Sequence, residues 1–70
     1  MDIEYNVEDG SFTFNFTEAQ KRNWSNCQRF LERFKAEVPA HSRSYDGDTK
    51  CWTVSDAYES AVRELEKELL

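Results

Sequence analysis

Seventy residues, 39% of them hydrophobic, are enough for one small domain and leave no room for a second fold. Acidic residues outnumber basic ones by 14 to 9, and the resulting net charge of -5 argues against unspecific attraction to nucleic acid. No apolar stretch approaches the roughly 18 residues that a membrane span requires, so we expect no membrane insertion.

The first sixteen residues predict a β-hairpin. Apolar and polar residues alternate with a period of two on both sides of the segment Glu8-Asp9-Gly10-Ser11, which is typical of a turn. This alternation makes one face of the hairpin apolar and the other face polar, which indicates a sheet that is covered on one side only. The side chains predicted to point inward are Ile3, Tyr5, Val7, Phe12, Phe14 and Phe16.

A long amphipathic helix is predicted next. Thr17 and Gln20 have the spacing of a capping box, which marks the start of a helix, and Pro39 forbids its continuation. Apolar residues recur between them at steps of three and four, as one face of a helix requires. These residues are Trp24, Cys27, Phe30, Leu31, Phe34 and Val38.

A second hairpin and a last helix complete the chain. The run from Val38 to Val54 predicts a short strand, a tight Asp46-Gly47 turn and a strand that carries Trp52. Ser55 or Asp56 is suited to cap the helix that follows, and Glu59 is placed to complete a capping box from Asp56. The predicted inner face of this helix consists of Tyr58, Ala61, Val62, Leu65 and Leu69.

These elements predict one α+β domain over residues 1–70 with the order ββαββα. We expect a four-stranded antiparallel sheet with two helices packed on its aromatic face. Cys27 and Cys51 lack the spacing of a zinc site, so we expect reduced thiols in a cytoplasmic protein, with no metal and no cofactor. His41 has no partner for nucleophilic or metal chemistry, and no acid/base pair is recognisable, so we expect no enzyme.

Positive charge is concentrated in the middle of the chain. Residues 1–20 carry five acids and no base, residues 21–50 carry seven bases and four acids, and residues 51–70 carry five acids and two bases. The middle segment therefore has a charge of +3 between segments of -5 and -3. This separation is compatible with a basic binding face or with charge pairing across the surface.

Six residues are candidates for binding nucleic acid or a partner protein. Tyr45 and Trp52 are suited to stack on unpaired bases, but rings of this size also serve as core residues in so short a chain. The candidate cations, for which solvated surface charge is the simpler interpretation, are Arg29, Arg33, Arg43 and Lys50.

The chain resembles the HARP domain, a small module found beside the motor of annealing helicases of the SNF2 class. The residues that carry the resemblance span roughly residues 12–65 and are Phe12-Thr13-Phe14, Phe30-Leu31, Phe34-Lys35, Pro39, Arg43, Tyr45-Asp46, Thr49-Lys50, Trp52-Thr53-Val54 and Tyr58. The resemblance also extends to small solo proteins of phages and plasmids. It implies a part that recognises forked or branched DNA, without the motor itself.

Three functions remain open from the sequence. The first is a non-enzymatic module that binds forked or single-stranded nucleic acid, or docks on a protein that handles it. The second is an acidic inhibitor of phage or plasmid type that imitates DNA, as some anti-CRISPR proteins do, with carboxylates in place of phosphates. Its carboxylates would be those of Asp2, Glu4, Glu8, Asp9, Glu59, Glu64, Glu66 and Glu68. The third is a structural domain that associates with itself through an apolar end around Trp24.

Overall fold

The computed structural model describes residues 1–69 and contains one four-stranded antiparallel sheet. Its strands are β1 (Asp2–Asn6), β2 (Ser11–Asn15), β3 (Arg43–Asp46) and β4 (Cys51–Ser55). Their spatial order is β1-β2-β4-β3, so the two hairpins join through β2 and β4. This confirms the predicted α+β class and the continuous sheet.

In the described part of the chain, three α-helices lie between and after the hairpins: α1 (Glu18–Lys21), α2 (Trp24–Glu37) and α3 (Glu59–Glu66). Short 3₁₀ turns occupy residues 7–9, 40–42, 56–58 and 67–69. Among residues 1–69, no helix combines the length and apolar character that crossing a bilayer demands.

The core lies between the aromatic face of the sheet and helices α2 and α3. Phe14 is at its centre and meets the rings of Phe30 and Phe34 edge-on, with centroids 5.7 and 5.3 Å away. Such edge-to-face pairs add to the stabilisation that comes from burying the rings. The buried hydrophobic residues are Phe12, Phe14, Phe16, Cys27, Phe30, Phe34, Val38, Val54, Val62 and Leu65.

The predicted long helix is interrupted after its first turn. The Thr17–Gln20 capping box is present as predicted, but it serves only α1, and Asn23 starts a second helix by accepting a hydrogen bond from the amide of Asn26. Asparagine competes with helical hydrogen bonds in this way and therefore favours a helix start. The Cys27 thiol donates to the carbonyl oxygen of Gln20 at 3.2 Å, which links the two helices, and burial raises its pKa.

Two other local predictions were wrong. Val7 does not lie on the inner face, because it belongs to the 3₁₀ turn after β1 and is 88% exposed. The last helix begins at Glu59, after the N-cap Tyr58, and not directly after one of the predicted caps Ser55 and Asp56. Ser55 instead accepts a hydrogen bond from the amide of Ala57 and caps the 3₁₀ turn Asp56–Tyr58, so the Asp56–Glu59 capping box does not form.

The two glycines have different structural roles. Gly10 has a φ of 64° and supplies the left-handed residue of the first hairpin. Gly47 does not have a positive φ; the second hairpin instead has a loop over residues 47–50, in which Lys50 has a φ of 58°. The predicted tight Asp46-Gly47 turn is therefore replaced by a four-residue loop, and the left-handed residue is a lysine.

Alanine substitutions at the two glycines should shift stability in opposite directions. Gly10→Ala places a side chain in the left-handed region and is expected to cost about 1 kcal/mol. A Cβ at Gly47 meets no atom within 4 Å, so Gly47→Ala should stabilise the fold by about 0.4 to 1 kcal/mol through a less disordered unfolded state. Urea denaturation of both variants measures this; equal midpoints would contradict the assignment of the left-handed residue.

Candidate functional site: an aromatic groove edged by lysines

A groove of about 420 Å³ lies beside the sheet, between the start of α2 and the second hairpin. We call it the aromatic groove. Of the lining residues within 1–69, four are aromatic, three are lysines, and none carries a carboxylate. Its lining consists of Asn15, Phe16, Lys21, Trp24, Leu31, Lys35, Tyr45, Lys50 and Trp52.

Helix α2 supplies one wall of the groove. Trp24, Leu31 and Lys35 are separated by seven and four residues, and this spacing places them on one face of an α-helix. Trp24 is 49% exposed and packs its edge against Phe16, with the ring centroids 6.2 Å apart. The break before α2 puts Trp24 at the first position of the helix, where its ring reaches past the core.

The second hairpin supplies the opposite wall and the floor. Tyr45 of β3 and Trp52 of β4 are directly paired across the strands, and their ring centroids are 5.1 Å apart. Trp52 is half-buried and also meets the ring of Phe34 edge-on at 5.2 Å. Tyr45 is 53% exposed, so it offers a free ring surface while Trp52 joins the groove to the core.

The lysines surround these rings. The Lys35 ammonium lies over the Trp52 ring, 5.8 Å from its centroid, in a cation–π contact. Lys21 makes only a long, exposed pair with Glu18 at 3.8 Å. Within residues 1–69, neither Lys35 nor Lys50 takes part in a salt bridge. Three ammonium groups are therefore available to an anionic ligand of the groove.

The three predicted arginine candidates lie elsewhere. Arg29 and Arg33 are two residues from Leu31 on either side, so helical geometry puts them roughly 160° away from the wall of the groove. Arg33 is paired with Glu68, whose hydrogen bond and charge raise the pKa of the guanidinium. Arg43 is half-buried, and its Nε donates to the carbonyl oxygen of Val38 at 2.9 Å.

The acidic candidates Glu59 and Glu64 lie on α3, which contributes no residue to the groove. Glu59 accepts a hydrogen bond from the Tyr5 hydroxyl at 2.8 Å and pairs with Arg63 at 3.6 Å. Glu64 pairs with Lys67 at 3.1 Å. The hydrogen bond from Tyr5 attaches α3 to β1, and the two ion pairs neutralise the carboxylates of Glu59 and Glu64.

The groove thus unites Tyr45, Lys50 and Trp52 with Trp24, which the sequence had suggested only as a separate partner site. Comparisons with family models, curated proteins and solved structures return no match to this chain. The resemblance to the HARP domain therefore stays a prediction. Within residues 1–69, no group of three or more His, Cys, Asp or Glu side chains is arranged to hold a metal ion.

Sequence reasoning missed Lys21, Lys35 and the contributions of Phe16 and Leu31 to the groove. The spacing of Trp24, Leu31 and Lys35 was the available signal, since it places a lysine on the same helical face as two apolar residues. Lys21 had no such signal, because its position depends on the helix break at Asn23.

Proposed function

We propose that this protein is a non-enzymatic module that binds single-stranded nucleic acid in the aromatic groove. The observation that carries the proposal is the combination of exposed rings and three lysines in a lining to which the described part of the chain contributes no carboxylate. Stacking on an aromatic side chain contributes about 1 to 3 kcal/mol per base, and lysines add affinity by releasing counterions from phosphates. The free thiols suit a reducing compartment, so we place the module in the cytoplasm.

The negative net charge is compatible with this proposal, because nine of the 14 acidic residues lie in two segments outside the groove lining. Four of them lie in β1 and the adjoining turn, and five lie between Asp56 and Glu68. Exposed charges separated by more than about 8 Å are largely screened at physiological salt. The lining therefore presents three lysines to a ligand, with Glu18 beside Lys21 and with Asp46 and Asp48 in the loop that carries Lys50, while the acidic remainder of the surface disfavours a long duplex.

The proposal is tested by titrating the protein with a 15-nucleotide oligo(dT) at about 50 and 200 mM salt. Trp24 and Trp52, the two tryptophans of the chain, both line the groove, so intrinsic fluorescence reports directly on its occupancy. Three phosphate contacts at about 0.7 counterions each predict an affinity that falls about 20-fold between the two salt concentrations. A hairpin duplex of matched length should bind more weakly.

Arg29→Gln is the matched control, because it removes an exposed cation outside the groove and should leave the salt dependence unchanged. A wild-type protein whose fluorescence does not change at 50 mM salt would remove the proposal.

A second candidate function is docking on a protein that handles nucleic acid. The observation in its favour is that Trp24 and Tyr45 stand half-exposed in one groove, and tryptophan and tyrosine are the rings enriched in interface hot spots. A pull-down with and without nuclease treatment separates the two functions, since a nucleic-acid bridge is lost on digestion and a direct protein contact is retained.

Imitation of DNA by the acidic residues receives less support. Glu59, Glu64, Glu66 and Glu68 all take part in ion pairs with cations of the same chain, with Arg63, Lys67 and Arg33 among them. Carboxylates neutralised in this way are poor substitutes for the free phosphates of a nucleic acid, which leaves four of the eight candidate carboxylates for that role: Asp2, Glu4, Glu8 and Asp9, which form no salt bridge within residues 1–69.

A further inference from the structure

The loop of the second hairpin has an unusual residue at its left-handed position. The Lys50 amide donates to the carbonyl oxygen of Asp46 at 2.7 Å and closes the loop, while the Asp46 carboxylate accepts from the amide of Asp48 at 2.9 Å. Among residues 1–69, Lys50 is the one residue other than glycine with a positive φ, at 58°.

A lysine is a poor choice for this position if stability alone is considered. Its Cβ crowds the following carbonyl in the left-handed region, where glycine is unstrained and asparagine is tolerated. The first hairpin uses Gly10 at a φ of 64° for the same purpose. Residues that hold a strained backbone conformation cluster at functional sites, which makes an observed outlier a reason to look for function.

The strained position adjoins the aromatic groove. Lys50 lines the groove, is exposed, and comes two residues before Trp52, whose ring contacts Tyr45. Its ammonium has no salt-bridge partner within residues 1–69, although the loop also contains Asp46 and Asp48. The loop closure between Asp46 and Lys50 fixes the direction in which this side chain leaves the backbone.

We propose that Lys50 forms a phosphate subsite of the groove, and that its left-handed conformation is retained at the expense of stability because it aims the ammonium at the ligand. The ligand is a single-stranded nucleic acid whose base stacks on Tyr45 and whose adjoining backbone phosphate meets Lys50. This inference rests on the proposed function and names one of its contacts.

The test compares Lys50→Gly and Lys50→Arg with the wild-type protein. Lys50→Gly relieves the strain and removes the charge, so Tm should rise by about 4 to 8 °C. Its affinity for the 15-nucleotide oligo(dT) should fall about eightfold at 50 mM salt. The salt slope, which is the slope of log K for binding against log salt concentration, should become shallower by about 0.7. Lys50→Arg keeps both charge and strain, so it should retain the slope and leave Tm near the wild-type value.

Lys67→Gln serves as the charge control, because Lys67 pairs with Glu64 away from the groove and its loss should leave the slope unaltered. A Lys50→Gly protein that binds oligo(dT) like the wild type would contradict the proposed phosphate subsite. A lowered Tm of the same variant would contradict the claim that the left-handed backbone at Lys50 is strained. If the wild type itself fails to bind, the proposed function falls together with the subsite; normal binding by Lys50→Gly removes the subsite alone.

Discussion

Replacing Phe34 with alanine is expected to remove a large part of the stability of the domain. Phe34 is fully buried and contacts the rings of Phe14, Phe30 and Trp52, with centroids 5.2 to 6.1 Å away. Truncating a buried phenylalanine costs about 3 to 5 kcal/mol. A domain of this length has about 3.5 to 10 kcal/mol of stability in total, so this one change removes a large part of it.

Thermal and urea denaturation followed by far-UV circular dichroism measures this loss. Phe34→Leu is the graded comparison, because it keeps most of the apolar volume and should lose less stability. Val7→Ala is the surface control, since Val7 is 88% exposed and its truncation should leave the midpoint unchanged. A Phe34→Ala protein that melts within a few degrees of the wild type would contradict the central position of this ring.

The same contacts explain why the fold class was predictable from the sequence. Alternating phenylalanines in residues 12–16 specify a strand with one buried face, and the apolar steps of three and four in α2 specify a helix that covers it. These two patterns determine the core because most of their apolar residues are buried together, with Trp24 at the start of α2 as the exposed exception. Small shifts of a helix boundary leave that requirement unchanged.

Local boundaries were less predictable because they depend on single hydrogen bonds. Asn23 divides the long helix by capping α2, and Ser55 delays α3 by capping a 3₁₀ turn. Each of these contacts is worth only about 1 kcal/mol, and hydrophobic periodicity gives no information about it. The Asp46-Gly47 pair was misleading for a similar reason: the carboxylate of Asp46 stabilises a longer loop by binding the amide of Asp48.

The groove was only partly predictable, since it forms where those local features meet. Tyr45, Lys50 and Trp52 were recognisable because one hairpin carries them. Their association with Trp24 and Lys21 required the local helix break at Asn23 and the packing of α2 beside β4, and the second of these is a tertiary contact. Arg43 was selected from the same hairpin, and Arg29 and Arg33 from their spacing of one helical turn. The ion pair of Arg33 and the hydrogen bond of Arg43 to Val38 show that neither pattern determines whether a side chain is available.

Removing both exposed rings of the groove is expected to cause the largest loss of binding. The double variant Trp24→Ala and Tyr45→Ala deletes two stacking surfaces, each worth about 1 to 3 kcal/mol, so oligo(dT) affinity should fall at least about 30-fold. The salt slope should persist, because all three lysines remain. Fluorescence anisotropy of a labelled oligonucleotide measures both quantities without depending on the deleted tryptophan.

Tyr5→Ala is the matched control for this experiment. Tyr5 is 46% exposed, comparable to the two groove rings, but it lies on β1 against Phe12 and outside the groove. Its loss should therefore leave oligonucleotide affinity unchanged at temperatures where the variant stays folded. Equal losses for Tyr5→Ala and the double variant would mean that stability, and not stacking, controls binding. A double variant with wild-type affinity would show that the ligand does not enter the groove, because lysines alone provide salt dependence without a surface for the bases.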